Sequence, residues 1–223
     1  MYRAFETTGP GRIPDPGSGG TIEFKIDTTA TEYEIRIYRL GYYDGNGARL
    51  VATIPSTAVT ATDQPACSLS VIPMGGGGTT SGQLLDCGNW SVSASWQVPA
   101  DATSGVYIAR PTRTDTNGAS HIPFIVRNDA STSDLIFQTS DTTWQSYNTY
   151  GGYNAYGSSG ATMAEKLSYN RPFTTRGAEL ENYLFNAEYP MIRWLERNSY
   201  DVTYMSAVDT ERHGNLITNH KVF

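Results

Sequence analysis

Residues 138–173 read QTSDTTWQSYNTYGGYNAYGSSGATMAEKLSYNRPF. They follow a short apolar run, Leu135-Ile136-Phe137, which reads as a buried strand. The chain then breaks into polar residues, tyrosines and glycines, a composition that suits neither a packed helix nor a regular strand. Tyr147, Tyr150, Tyr153 and Tyr156 recur at every third position, interleaved with Asn148, Asn154 and a glycine pair. Open α/β sheets bind ligands in loops at the carboxyl ends of their strands. This stretch is therefore the expected functional segment, with its rings either folded over a site or stacked on a ligand or partner.

Downstream of it the pattern becomes helix, then strand. Residues 189–198, YPMIRWLERN, place Pro190 in a first helical turn. Met191, Trp194 and Leu195 are expected on the buried face and Arg193, Glu196 and Arg197 outward. Residues 201–205, DVTYM, then read as a second strand parallel to the first, reached by a right-handed crossover. After Asp209 the chain is polar, and Val222-Phe223 read as the first residues of a third strand. Two parallel strands and one helix cannot cover both faces of such a sheet, so the second domain is expected to be incomplete or completed by something else.

Upstream the period is two. Ile22, Phe24 and Ile26 alternate with Glu23, Lys25 and Asp27, and Tyr33, Ile35 and Ile37 alternate with Glu34, Arg36 and Tyr38. Asp44-Gly45-Asn46-Gly47 reads as a tight turn, with residues 48–54 as the returning strand. Further strands are expected over 68–72, 89–98 (Val92, Ala94, Trp96 and Val98 on one face), 105–110 and 121–126. About seven short strands separated by turn signals predict a β-sandwich of the immunoglobulin or fibronectin kind. Trp96 is expected in its core. Met74–Ser81, MGGGGTTS, reads as a flexible connection, since a phosphate-cradling loop needs a lysine and a following helix.

The expected organisation is a Gly/Pro-rich arm over 1–20, an immunoglobulin-like sandwich over 21–128, and the first part of an α/β domain over 129–223. The polar run RNDASTS at 127–133 supplies the boundary.

At 223 residues with 39% hydrophobic content, the chain has enough apolar material for a real core. A formal charge of −6 argues against nucleic acid as a partner. No run of 18 or more apolar residues occurs, so no membrane-spanning helix is expected. Residues 1–20 lack the basic-then-apolar layout of a signal peptide, which predicts a cytoplasmic chain or a mature or excised piece. The only cysteines, Cys67 and Cys87, fall among predicted strands, where a disulfide is expected over two buried thiols. With the glycosylation triplet Asn89-Trp90-Ser91, they favour a secreted, extracellular protein.

As a set, these motifs carry a resemblance. SDLIFQTSDTTWQSYNTYGGYNAYG, KLSYNRPF and NAEYPMIRWLERNSYDVTYMSAVD resemble the large-subunit region of N,N-dimethylformamidase and its bacterial relatives. YRLGYYDGNGARLVATI and SWQVPADATSGVYIARP resemble the β-sandwich that precedes that region in secreted members. The resemblance implies a glutamine-amidotransferase-like α/β domain and a mononuclear ferric site that hydrolyses a small amide. It implies two tyrosinate ligands, which carry over to Tyr147 of TWQSYN and Tyr169 of SYNRP. It places the carboxylate ligand after the third strand, beyond Phe223.

Other residues carry competing readings. Glu188 is either a ligand or a partner of the helix dipole. Arg171 either orients a substrate carbonyl or makes a structural ion pair. Asp209-x-Glu211-x-His213 reads as solvated loop charge rather than a metal site, and His121 as structural. No Gly-x-Ser-x-Gly elbow and no second-domain cysteine occur, so serine- and cysteine-hydrolase mechanisms are not expected. Two functions follow as expectations. One is a fragment of a secreted protein whose complete parent is an iron-dependent hydrolase of small amides, the chain alone being inactive. The other is a non-catalytic extracellular assembly module, covered by a second copy or by the remainder of its own parent chain.

Overall fold

The computed structural model describes residues 3–6, 20–73, 81–172 and 184–223. These residues form strands in several small sheets, with few helices and no closed barrel. No helix among them is long and apolar enough to cross a membrane.

Four antiparallel strands make the largest sheet. Strand β3 (Tyr33–Tyr43) pairs with β4 (Asn46–Ile54) on one side and β8 (Gly105–Arg113) on the other, and β9 (Ile122–Val126) continues from β8. The β3–β4 hairpin closes through Asp44 and Gly45, both at positive φ (48° and 96°), between paired Tyr43 and Asn46. That is the two-residue turn whose twist matches its strands, and Asp-Gly supplies it. A second sheet has the order β1 (Arg3–Glu6), β2 (Thr21–Asp27), β7 (Ala94–Gln97). The stretch read as an arm thus contributes a strand antiparallel to β2.

The alternating residues of β2 and β3 do what their period predicts. Ile22, Phe24, Ile26, Tyr33, Ile35 and Ile37 are all 0% exposed and share one core with Trp96, Tyr107 and Phe124. Val92, expected on the same face as Trp96, is 43% exposed, because the regular strand begins only at Ala94. Strands β5 (Ser68–Pro73) and β6 (Ser81–Asp86) form a separate two-stranded antiparallel hairpin. Of the loop read at Met74–Ser81, Ser81 opens β6; the rest lies outside the described residues.

The second half of the chain is built on β10 (Leu135–Gln138) and β13 (Val202–Met205), which pair in parallel. Between them lie helix α1 (Asp141–Tyr147), short paired segments β11 (Tyr153–Asn154) and β12 (Thr162–Met163), and helices α2 (Leu184–Ala187) and α3 (Tyr189–Arg197). Helix α4 (Ala207–His213) follows β13. Val222 bridges Leu135 in parallel, so the expected start of a third strand sits beside β10, on the edge away from β13.

Three helices depart from expectation, α4 because it takes up Asp209, Glu211 and His213, which are expected in a loop. Residues 141–147, expected to be irregular, form α1. Its inward positions Asp141, Trp144, Gln145 and the following Asn148 have helical spacing, but three of the four are polar, so hydropathy gave no signal. In α3 the buried residues are Ile192 and Leu195, whereas Met191 and Trp194 are each 50% exposed. The buried line runs Leu184, Glu188, Ile192, Leu195, and the glutamate within it disguised the face.

The two halves share a core. Leu40, Val106, Ile108 and Ile125, from the four-stranded sheet, pack with Trp144, Leu184, Ile192 and Tyr204. Beside that core Arg39 Nη2 lies 2.8 Å from Glu196 Oε1, which also accepts the Tyr204 hydroxyl at 3.0 Å. Arg127, at the expected domain boundary, is buried and pairs with both Asp129 and Asp209. Truncating one partner of such a buried pair leaves the other charge stranded, a cost of about 3–5 kcal/mol.

Candidate functional site

Because β10 and β13 run in parallel, they end on the same side, and the residues after each become neighbours. Thr139 N–H donates to Met205 O at 3.0 Å, extending the ladder by one bond. The next turn of chain brings in Asp141, which is 8% exposed. Its Oδ1 accepts the Thr139 hydroxyl at 2.9 Å and the Ala207 backbone N–H, at the start of α4, at 2.7 Å. Its Oδ2 accepts the Tyr169 hydroxyl at 2.9 Å.

Tyr169 is 41% exposed as a residue, but its hydroxyl points inward at this carboxylate. Burial of the hydroxyl, then the charge and hydrogen bond of Asp141, push its pKa well above that of an ordinary tyrosine, and Glu211 adds in the same direction. Unaided, Tyr169 is a neutral phenol at pH 7. Tyr147 leaves the other end of α1, and its ring packs on Tyr156 with centroids 4.5 Å apart. The structure therefore joins Tyr169 to Asp141, a residue for which the sequence gave no signal beyond its place after a strand.

Glu188 lies just before α3 at 5% exposure. Its Oε1 accepts the Ser140 N–H at 2.8 Å and the Trp144 indole N–H at 3.0 Å. Burial raises its pKa above the usual carboxylate value, against the lowering effect of those two donors. Its observed work is to tie α3 to the start of α1.

Arg171 is 1% exposed and meets backbone carbonyls. Nη2 donates to Gln145 O at 2.9 Å, Nη1 to Tyr153 O at 3.0 Å and Asn148 O at 3.3 Å, and Nε to Ser168 O at 3.2 Å. Burial without a facing carboxylate lowers its pKa to about 10, so the guanidinium stays charged at neutral pH. Neither expected role describes this: Arg171 caps the end of α1 and gathers the tyrosine-rich segment around itself. Asn154 works similarly, its Oδ1 accepting from the Tyr156 and Gly157 amides at 3.0 and 2.7 Å.

The remaining expectations resolve as follows. Cys67 and Cys87 form a disulfide. Asn89 is exposed in the following turn, where its Nδ2 donates to Ala66 O at 2.8 Å. Asp209 is 2% exposed and forms a capping box with Ser206 at the start of α4. Among the described residues no three His, Cys, Asp or Glu side chains converge as a metal would need. His121 packs edge-on against Phe185.

Residues 34–223 match the family described as "N,N-dimethylformamidase beta subunit-like, C-terminal", and the chain belongs to that family. Among curated proteins no match was found.

Proposed function

Taking family membership as the premise, we propose that the chain forms part of an iron-dependent hydrolase of small amides. In this reading residues 21–128 are an immunoglobulin-like sandwich, supported by two sheets closing on one apolar core. Residues 129–223 begin an α/β domain of the glutamine-amidotransferase kind, supported by the parallel β10–β13 pair and by Val222 on the opposite edge of β10. Such a reversal of strand order is where open α/β sheets place their ligands, outside the carboxyl ends. Export from the cytoplasm is part of the proposal and is supported by the disulfide.

One observation carries the chemistry: the 2.9 Å contact between Tyr169 Oη and Asp141 Oδ2 at those carboxyl ends. Both atoms are hard oxygen donors, the type that a ferric ion favours. A cation bound there would replace the shared proton and take both oxygens as ligands. Tyr169 and Asp141 would hold it, with Tyr147 as the second phenolate that the family resemblance implies. When bound, the ion would acidify a water and polarise an amide carbonyl. Without a cation Asp141 keeps the Tyr169 proton in place. Thr139 and the Ala207 amide fix Oδ1 and leave Oδ2 aimed at the phenol.

Metal analysis and visible absorption of the purified protein test this reading. The expected result is bound iron with a phenolate charge-transfer band, both largely lost in Tyr169→Phe and Asp141→Asn and reduced in Tyr147→Phe. Iron content unchanged by all three substitutions would refute ligation.

A second reading is a non-catalytic assembly module. It is favoured by exposed apolar surface on the second half: Met191, Trp194 and Tyr200 at 45–50% exposure and Val222 and Phe223 at 54% and 64%. Its partner would be a second copy or the remainder of the parent chain. Gel filtration across a dilution series, giving a monomer throughout, would argue against self-association.

A further inference from the structure

The segment that carries Tyr169 is held from outside its own half of the chain. Asp86, the last residue of β6, accepts both the Ser168 hydroxyl and the Asn170 side-chain amide, the latter at 3.1 Å to Oδ2. The next residue, Cys87, donates its backbone N–H to Asn170 O at 2.7 Å. Both neighbours of Tyr169 are thus fixed by two consecutive hairpin residues that lie 82–84 positions earlier. Asp86 Oδ1 also accepts the Gly88 amide at 2.6 Å, so the carboxylate is itself immobilised.

The hairpin is anchored at its base. Ser68 pairs with Asp86, so Cys67 and Cys87 are the next facing pair, and their disulfide closes the two strands. Below it Lys25 Nζ donates to Gly88 O at 3.0 Å and the Trp90 indole to Pro65 O at 2.9 Å, which ties the turn to the first half. A second contact seats the hairpin on the tyrosine segment: Gly151, at φ 76°, lies so close to Leu85 that a β-carbon there would come within 1.9 Å of Leu85 Cδ2. The positive φ favours glycine, and any larger residue would make the Leu85 side chain shift.

We propose that Asp86, presented by the disulfide-closed hairpin, is a positioning residue that holds Tyr169 on Asp141. Its effect on iron rests on the function proposed above; the clamp itself does not. A charged acceptor with three donors fixes direction as well as distance, which a backbone turn alone would leave loose.

Hydrogen exchange of the intact chain, read by mass spectrometry on peptides spanning 165–172, tests the clamp. Asp86→Ala removes the acceptor of the Ser168 and Asn170 side chains and is expected to speed exchange there at least about tenfold, the effect of a single hydrogen bond to a charged group, with the β3–β8 ladder unchanged. Asp86→Asn is expected to speed exchange by a smaller factor, because one acceptor oxygen remains while an NH2 group turns toward the Gly88 or the Asn170 donor. The pair Asp86→Asn with Asn170→Asp restores a donor opposite an acceptor and is expected to recover wild-type exchange. Cys67→Ser with Cys87→Ser is expected to loosen the same peptides. Exchange unchanged in Asp86→Ala, or raised equally in the β3–β8 ladder, would overturn the proposal, as would failure of the reciprocal pair to restore protection. Iron measured on the same samples separates the two ideas. Wild-type protein free of iron defeats the hydrolase reading only, whereas iron retained alongside raised local exchange defeats the positioning role.

Discussion

The two sheets of the first half and the tyrosine-rich segment of the second are held by opposite means. The sheets close on isoleucines and aromatic rings with no exposed surface: Ile22, Phe24, Ile35 and Ile37, crossed by Trp96, Tyr107 and Phe124. The segment from Asn148 to Arg171 buries few apolar side chains; Arg171 and Asn154 pin it through backbone groups and Asp86 through the Ser168 and Asn170 side chains. Apolar burial is strong and undirected, and tolerates small shifts. Hydrogen bonds contribute less net stability but specify direction, and leaving one unmade is expensive. A body built the first way can carry a segment built the second way and keep a tyrosine aimed at one carboxylate.

The largest expected effect lies in the sheets. The Phe124 ring stands 5.6 Å from Tyr107 and 6.0 Å from both Phe24 and Trp96. Phe124→Ala should cost about 3–5 kcal/mol of global stability, read as a lowered denaturation midpoint with an unchanged slope. A loss under about 1 kcal/mol would mean that the apolar core is not the main reservoir, and the contrast would fail.

Arg171 probes the other region. Arg171→Met removes the donors to Gln145, Tyr153 and Asn148 carbonyls. The expected cost is about 1–3 kcal/mol, because buried acceptors are left unmade while the apolar contacts remain. Arg171→Lys should recover only part of it, since a compact ammonium cannot span the fork. Local exchange over 145–156 should rise before global unfolding does. Full rescue by lysine would show that charge, not fork geometry, holds the segment.

The same contrast governs what could be read from the sequence. Apolar alternation located β2 and β3, and Asp44-Gly45 announced its hairpin, since these are local signals with one physical meaning. Helix α1 was missed because its inward face is Asp141, Gln145 and Asn148 beside a single Trp144. Helix α4 does carry a local signal, the Ser206-x-x-Asp209 capping box, but its polar surroundings give no apolar period to support it. Strand β6 opens on Ser81-Gly82, two threonines after a glycine run, so its pairing with β5 has no pattern of its own. The Asp86 contacts were beyond reach for another reason: they join residues more than 80 positions apart through polar groups that have no period. At the proposed site, the motif resemblance singles out Tyr169 as an expectation, and its contact with Asp141 is visible only in the fold.

The smallest effect sharpens the boundary between the regions, where Glu188 is a polar residue buried in the manner of an apolar one. Its carboxylate has two donors, the Ser140 amide and the Trp144 indole, and burial still raises its pKa in the folded state. A raised folded pKa means that the native state binds the proton more tightly than the unfolded chain does. The associated stability is therefore complete below the unfolded value near 4.3 and is lost as pH climbs through the higher folded value. Glu188→Gln carries no titrating proton and keeps an oxygen for both donors. Unfolding free energies measured from pH 4 to 8 should show wild type losing ground to the glutamine variant as pH rises. Parallel curves would show that the two donors offset desolvation in full, and Glu188 would then belong with the satisfied polar pins rather than with the strained core.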